Sequence, residues 1–170
     1  MFFLRSGTCY FYMRVLNIYK STISDGPGLR YSIYLSGCRH ACPGCHNPRS
    51  WDENSGILLT PQALDQITEE INSDPLLDGI TISGGDPFFN PAELTDLLAE
   101  LKIKTNKNIW CYTGYTIETI LASEKLSAPL RYIDTLVDGP FIQSLYDPTL
   151  LWRGSSNQRV IRLQSGRPLP

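Results

Sequence analysis

No apolar run in this chain approaches the roughly 18 uninterrupted residues that a membrane helix needs. An excess of one charge is missing as well: 15 Lys and Arg face 17 Asp and Glu without long like-charge blocks, so nothing favours nucleic acid as a partner. Histidine is scarce, at two residues, and no Ser-His-Asp or paired-carboxylate constellation stands out, so no acid or base residue is assigned. Repeats and low-complexity linkers are absent. The opening MFFLRSGTCYFYMRVLNIYK is apolar in pieces, but Arg5, Ser6, Gly7 and Arg14 interrupt it and no small-x-small cleavage site follows. It reads as an extension over residues 1–12 ahead of a single domain at 13–170, with the cytoplasm as the expected compartment. At 170 residues the chain suits one well-buried domain.

What is present alternates between two periods. Apolar runs rich in Ile, Val, Tyr and Leu at 15–19, 31–35, 79–83, 109–113, 133–137 and 159–163 predict strands, and their near-continuous apolar character predicts burial on both faces. Thr60 followed by Pro61 marks a helix start, with Leu64, Ile67 and Ile71 as its apolar stripe and Asp74-Pro75 as its stop. Asn90 and Pro91 mark a second helix, with Glu93 placed to close a capping box and Leu94, Leu97, Leu98 and Leu101 facing the core. A third helix is expected over 117–126. Strand–helix alternation predicts an α/β domain with a mainly parallel curved sheet, an open, partial β/α barrel. Ligands in such folds gather at the carboxyl ends of strands, where the unusual loops GCRHACPGC, SGGDPF, YTGYT and VDGPF all fall.

Cysteine carries the strongest chemical signal. Five are present; Cys9 and Cys111 stand apart, while Cys38, Cys42 and Cys45 fall within eight residues and His46 follows. Nothing resembles the even-numbered disulfide framework of a small secreted domain. Two readings remain open. Cys38, Cys42, Cys45 and His46 can form a Cys3His zinc module, although adjacent Cys45 and His46 have to converge on one ion. Alternatively, C-x3-C-x2-C supplies three thiolates to a [4Fe–4S] cluster and leaves one iron open. Gly37 and Gly44 let backbone amides approach such a cluster, and Pro43 stiffens the turn.

The fuller set of motifs is narrower: DGPGLR at 25–30, SGCRHACPGCHN at 36–47, TISGGDPF at 81–88, WCYTGYT at 110–116, LVDGPF at 136–141 and WRGSSNQ at 152–158. Together they resemble the activating proteins of anaerobic (class III) ribonucleoside-triphosphate reductase, within the radical S-adenosylmethionine superfamily, over roughly residues 13–165. DGPG and the cysteine motif alone would also admit activases of the pyruvate formate-lyase type.

The resemblance implies that Cys38, Cys42 and Cys45 hold the cluster and that S-adenosylmethionine is cleaved there reductively. A hydrogen atom is then taken from a glycine of the reductase large subunit, with electrons from a low-potential donor such as a flavodoxin. It places the backbone of Gly44, Cys45 and His46 against the adenine, and Gly84, Gly85 and Asp86 against the methionine ammonium. The plain alternative for Asp86 is a turn former before Pro87. Asp138 is a further candidate cofactor contact. The carboxylate and ammonium that related activases tend to carry after the strands at 109–113 and 133–137 cannot be transferred, since Cys111-Tyr112 and Gly139-Pro140 stand there. Cys111 reads as a small buried hydrophobe. Arg30 is a candidate partner for a carboxylate, and WRGSSNQR a donor-rich loop for a partner's backbone.

Overall fold

The computed structural model describes residues 11–169, so most of the expected extension lies outside the described residues. Eight strands form one sheet: β1 (Arg14–Thr22), β2 (Arg30–Leu35), β3 (Ile57–Leu58), β4 (Gly79–Gly84), β5 (Asn108–Tyr112), β6 (Thr135–Asp138), β7 (Arg159–Gln164) and β8 (Arg167–Pro168). Their spatial order is β3-β1-β2-β4-β5-β6-β7-β8, an open sheet with two ends. The expectation of a mainly parallel sheet is corrected. Only β2-β4-β5-β6 run parallel, while β3-β1-β2 on one flank and β6-β7-β8 on the other are antiparallel.

The connections explain the difference. A parallel neighbour needs a long crossover, and helices α1 (Pro61–Ser73), α2 (Pro91–Thr105) and the pair α3 (Ile117–Leu121) and α4 (Glu124–Ser127) supply one after β2, β4 and β5. A short turn joins β1 to β2, and the segment after β6 holds only a single 3₁₀ turn, Gln143–Leu145, so in both places the chain doubles back.

Both long helices start where their caps predict. Thr60 Oγ1 accepts from the Ala63 N–H at 3.1 Å, and Asn90 Oδ1 from the Glu93 N–H at 3.4 Å. The capping box is replaced by a tertiary contact: Glu93 Oε2 accepts the N–H groups of Tyr12 (3.0 Å) and Met13 (2.6 Å). Phe11 is buried in the same core that these contacts adjoin. The expected third helix is two short ones, because Ser123 caps a new start by accepting the Leu126 N–H.

Alternation along the strands separates the two faces. Ile33, Ile80, Ile82, Ile109, Cys111 and Leu136 pack against Leu64, Ile67 and Ile71 of α1 and the Leu94–Leu101 stripe of α2. The opposite face holds Ser32, Thr81 and Trp110. There Arg30, 1% exposed, donates to Thr81 Oγ1 (2.7 Å) and the Ile80 carbonyl (2.5 Å), and its guanidinium lies over Trp110. Burial pulls its pKa down to about 10. Arg30 is thus an internal brace, and a side chain at Gly79 would strike it at 2.7 Å.

Candidate metal and cofactor site

Parallel register sets the carboxyl ends of β2, β4, β5 and β6 side by side, with Leu35 opposite Gly84 and Tyr112 opposite Val137. The loops that leave these ends surround a cavity of about 130 Å³. Cys38, Cys42 and Cys45 line it, together with His40, Trp51, Gly85, Tyr112, Thr113, Gly114, Phe141 and Gln158. Larger hollows of about 430 and 440 Å³, beside β1 and α1 and beside the start of α2, contain no cysteine.

The cysteine loop is anchored through its backbone, which leaves its thiols uncommitted. Gly37 N–H donates to the Ser50 carbonyl (2.8 Å) and Cys38 N–H to that of Trp51 (3.3 Å), so a 3₁₀ turn at Pro48–Trp51 backs the loop. Asp86 N–H reaches the Gly37 carbonyl at 2.8 Å. Ala41 takes φ 47°, a left-handed backbone uncommon for a non-glycine residue. All three cysteines are half-buried and none forms a disulfide. Burial pushes the Cys38 thiol pKa up; the His40 and Ala41 amides work against this, while the Asp86 charge adds to it. A metal reverses that balance, because a coordinating thiol is deprotonated outright. Asn47 N–H donates to Cys45 Sγ at 3.4 Å.

No three His, Cys, Asp or Glu side chains among the described residues converge as ligands of a single metal ion. Thiolates on one zinc each sit about 2.3 Å from it and must crowd together, whereas a cubane offers each cysteine a separate iron around its rim. Three thiols spread round one cavity fit the second demand. Trp51 fits it too: its indole N–H is buried without a partner. Cluster sulfides accept such donors.

His46 is placed outside this cavity. Its ring lies 5.2 Å from that of Phe141 and 5.8 Å from that of Tyr146, beside a separate hollow, so it does not join the three thiols as a fourth ligand. Gly44, at φ 72°, abuts Gln143 rather than the cavity. Gly85 lines the cavity and has no room for a side chain, which would meet the Gly37 carbonyl oxygen at 2.4 Å. Gly84, at φ 116°, is pressed against Leu35 in the same way.

Both singled-out carboxylates are turned inward. Asp86, 2% exposed, has Nε2 of His40 at 2.5 Å from Oδ2 and accepts from the Thr113 hydroxyl (2.9 Å) and the N–H groups of Gly114 (3.1 Å) and Phe88 (2.9 Å). It ties the cysteine loop to the loops after β4 and β5. Asp138, fully buried, accepts from Arg159 (2.6 and 3.0 Å) and the Ile117 N–H (2.7 Å), outside the cavity lining. Burial raises the pKa of Cys111, a core residue, well above the ordinary value.

Sequence reasoning missed His40 and Trp51. His40 stands inside the cysteine motif, yet only the fold shows its ring edge-on to Tyr115 at 4.6 Å and tight against Gly114.

Comparison with known proteins agrees with this geometry. A family described as a 4Fe-4S single cluster domain matches residues 24–161. The chain is 41% identical over 157 residues to the anaerobic ribonucleoside-triphosphate reductase-activating protein of Salmonella typhimurium, covering 89% of this chain and all of that one. It is 42% identical over 151 residues to the Escherichia coli protein of that name, covering 86% and 96%. The Enterobacteria phage T4 counterpart is 36% identical over 147 residues, covering 84% and 90%.

Proposed function

The chain belongs to the family of anaerobic ribonucleoside-triphosphate reductase-activating proteins, which carry a 4Fe-4S domain, and from that premise we propose how it activates the reductase. It holds a [4Fe–4S] cluster on Cys38, Cys42 and Cys45 and generates the glycyl radical of the reductase large subunit by reductive cleavage of S-adenosylmethionine. The observation that carries this reading is the cysteine-lined cavity at the carboxyl ends of the parallel strands. Three unbridged thiols share it with Gly85, Thr113 and Gly114.

When bound, the cluster supplies one electron to the sulfonium of S-adenosylmethionine. The chain's own residues bind, orient and shield. Cys38, Cys42 and Cys45 would hold the cluster, and a fourth thiolate is not supplied among the described residues, which would leave room for the amino-acid end of S-adenosylmethionine. Gly85 keeps the main chain close on that side, because any side chain there would displace the cysteine loop. The Asp86–His40–Thr113 contacts hold three loops in one arrangement, so the cavity is formed before anything binds. Tyr112 and Phe141 limit the access of water. No side chain is asked to move a proton, which agrees with full internal pairing of Asp86 and Asp138.

The radical S-adenosylmethionine domain is assigned to residues 13–170, preceded by residues 1–12. A low-potential donor of the flavodoxin kind and a cytoplasmic setting complete the reading. Among the described residues no helix is long and apolar enough to cross a membrane. The test is anaerobic purification with iron and sulfide analysis. The reduced protein is then incubated with S-adenosylmethionine and the reductase. About four irons per chain, 5′-deoxyadenosine, and a glycyl signal in electron paramagnetic resonance are expected; zinc in place of iron would refute the proposal.

A further inference from the structure

The hollow of about 440 Å³ beside the start of α2 abuts the cysteine loop without holding a thiol. Leu35, Leu58, Pro87 and Phe89 make part of its lining apolar, and Glu53 and Glu93 make another part acidic. Arg14, the one cation in the lining, already donates to the Gly56 carbonyl at 3.0 Å. Among the described residues neither Glu53 nor Glu93 lies within ion-pair distance of a cation. Leu58 and Tyr12, both in the lining, stay 40% and 81% exposed. Exposed apolar side chains gathered round an open hollow mark a docking surface.

The chain itself leads to this surface. Phe11 is buried, and the N–H groups of Tyr12 and Met13 are both held by Glu93 in the wall, so the chain is fixed where it arrives. Ten residues, MFFLRSGTCY, precede Phe11. Fully extended they reach roughly 33 Å, ample to turn back over a hollow whose lining starts at Tyr12. Phe2, Phe3 and Leu4 are apolar, Arg5 is the only charged side chain, and Ser6-Gly7 is a turn-forming pair. The apolar group matches the apolar lining, and the lone cation matches the acidic rim. A foreign peptide would have to displace this tethered segment, whose effective concentration at the hollow is far higher.

We propose that residues 1–10 turn at Ser6-Gly7 and strap this hollow, with Phe2, Phe3 and Leu4 inside and Arg5 paired with Glu53 and Glu93. The strap bears on the cysteine loop. Phe89 lies so close to Gly37 that a side chain there would meet its ring at 2.7 Å, and the Arg39 guanidinium lies over the same ring at 4.4 Å. Asp86, also in the lining, donates its N–H to the Gly37 carbonyl. Filling the hollow holds Phe89 and Asp86 in place and, through them, the loop that carries the thiols. The docking stands independently of the function proposed above, whereas its effect on iron rests on that reading.

The experiment uses the full chain with p-benzoylphenylalanine in place of Phe3, irradiated before and after iron loading, with the cross-linked peptides mapped by mass spectrometry. Cross-links within one chain to residues 53–58 or 87–93 are expected. Cross-links elsewhere, cross-links between chains, or none at all overturn the proposal. So does an intact mass showing that the protein made from its own gene begins at Met13. A second measurement reads iron. Phe2→Ser, Phe3→Ser and Leu4→Ser together should speed iron loss from the anaerobically loaded protein about threefold or more, because the loop opens more often. Arg5→Glu should do so more weakly, and adding Glu53→Lys should recover most of that loss. Unchanged iron loss beside the expected cross-links overturns the bracing of the cysteine loop. If the wild-type protein takes up no iron, it is the underlying function that has failed, and the cross-links still decide the docking.

Discussion

Two loops leave the same end of the parallel strands, residues 36–51 after β2 and residues 139–158 after β6, and they treat their polar groups in opposite ways. The cysteine loop is tied down by its backbone and leaves three thiols unbridged around a cavity. The loop after β6 carries more side-chain donors, and several of them hold the loop itself. Gln158 accepts from Gly154 and Ser155 and donates to the Gly139 carbonyl (3.0 Å), and Asn157 donates to the Pro140 carbonyl (2.8 Å). Among its buried side-chain donors, Arg153 Nε is the one left without a partner. A donor-rich loop is therefore no evidence of binding by itself; what matters is which groups the fold leaves without partners.

The largest expected effect falls on the cysteine loop. Cys38→Ala, Cys42→Ala and Cys45→Ala should each lower deoxyadenosine formation by roughly 100-fold or more and strip iron from the protein, because a cubane held by two thiolates is poorly retained. Full activity in any one of them would break the contrast between the loops.

Next come the two buried carboxylates. Asp86→Ala and Asp138→Ala should each destabilise the apoprotein by about 3 kcal/mol in urea titrations, since each strands several buried donors. Only Asp86→Ala should also speed iron loss on dialysis, because Asp86 touches the cysteine loop through His40. Equal iron loss from both would show that general stability, and not the latch, retains the cluster.

A smaller effect is expected at Gln158→Ala, where four hydrogen bonds, one of them long at 3.5 Å, at roughly 0.5–1 kcal/mol each put the cost at about 2 kcal/mol. Iron stoichiometry should stay at the wild-type level, which sharpens the division between a loop that holds itself and the loop proposed to hold the metal.

The smallest effect belongs to an exposed pair behind the loop after β6. Hydrogen bonds from Arg159, above all, hold the Glu118 pKa down to about 2. A carboxylate depressed in the folded state contributes stability above its ordinary pKa of about 4.3 and loses it as pH falls toward 2. Glu118→Gln should thus lower the urea midpoint slightly at pH 6 and leave it unchanged near pH 2, and added salt should shrink the pH 6 difference.

Local signals are readable in the sequence. The caps at Thr60 and Asn90, the leucine stripe of α2 and the six longer strands all appear where periodicity and capping residues place them, because their causes lie within one or two turns of chain. Glu93 has the spacing of a capping box without forming one, since its true partners, Tyr12 and Met13, are some 80 residues away in sequence. β3 and β8, two residues each, are too short to show any period. The antiparallel flanks are hidden because strand direction follows from whether the connection folds into a crossover helix, which apolar runs do not reveal.

The sequence by itself determined the number and spacing of the thiols, which narrowed the metal chemistry to a zinc module or an iron–sulfur cluster. Tertiary structure decided which neighbours remain free to take part. His40 and Asp86 are 46 residues apart and Asp86 and Thr113 are 27 apart, yet all three meet at the cysteine cavity, with His40 and Thr113 in its wall. Parallel register brings their loops to one end of the sheet. A buried carboxylate takes the nearest donors in space, so Asp86 became a latch, His46 turned away from the thiols, and Arg153 was left with a charge and no partner.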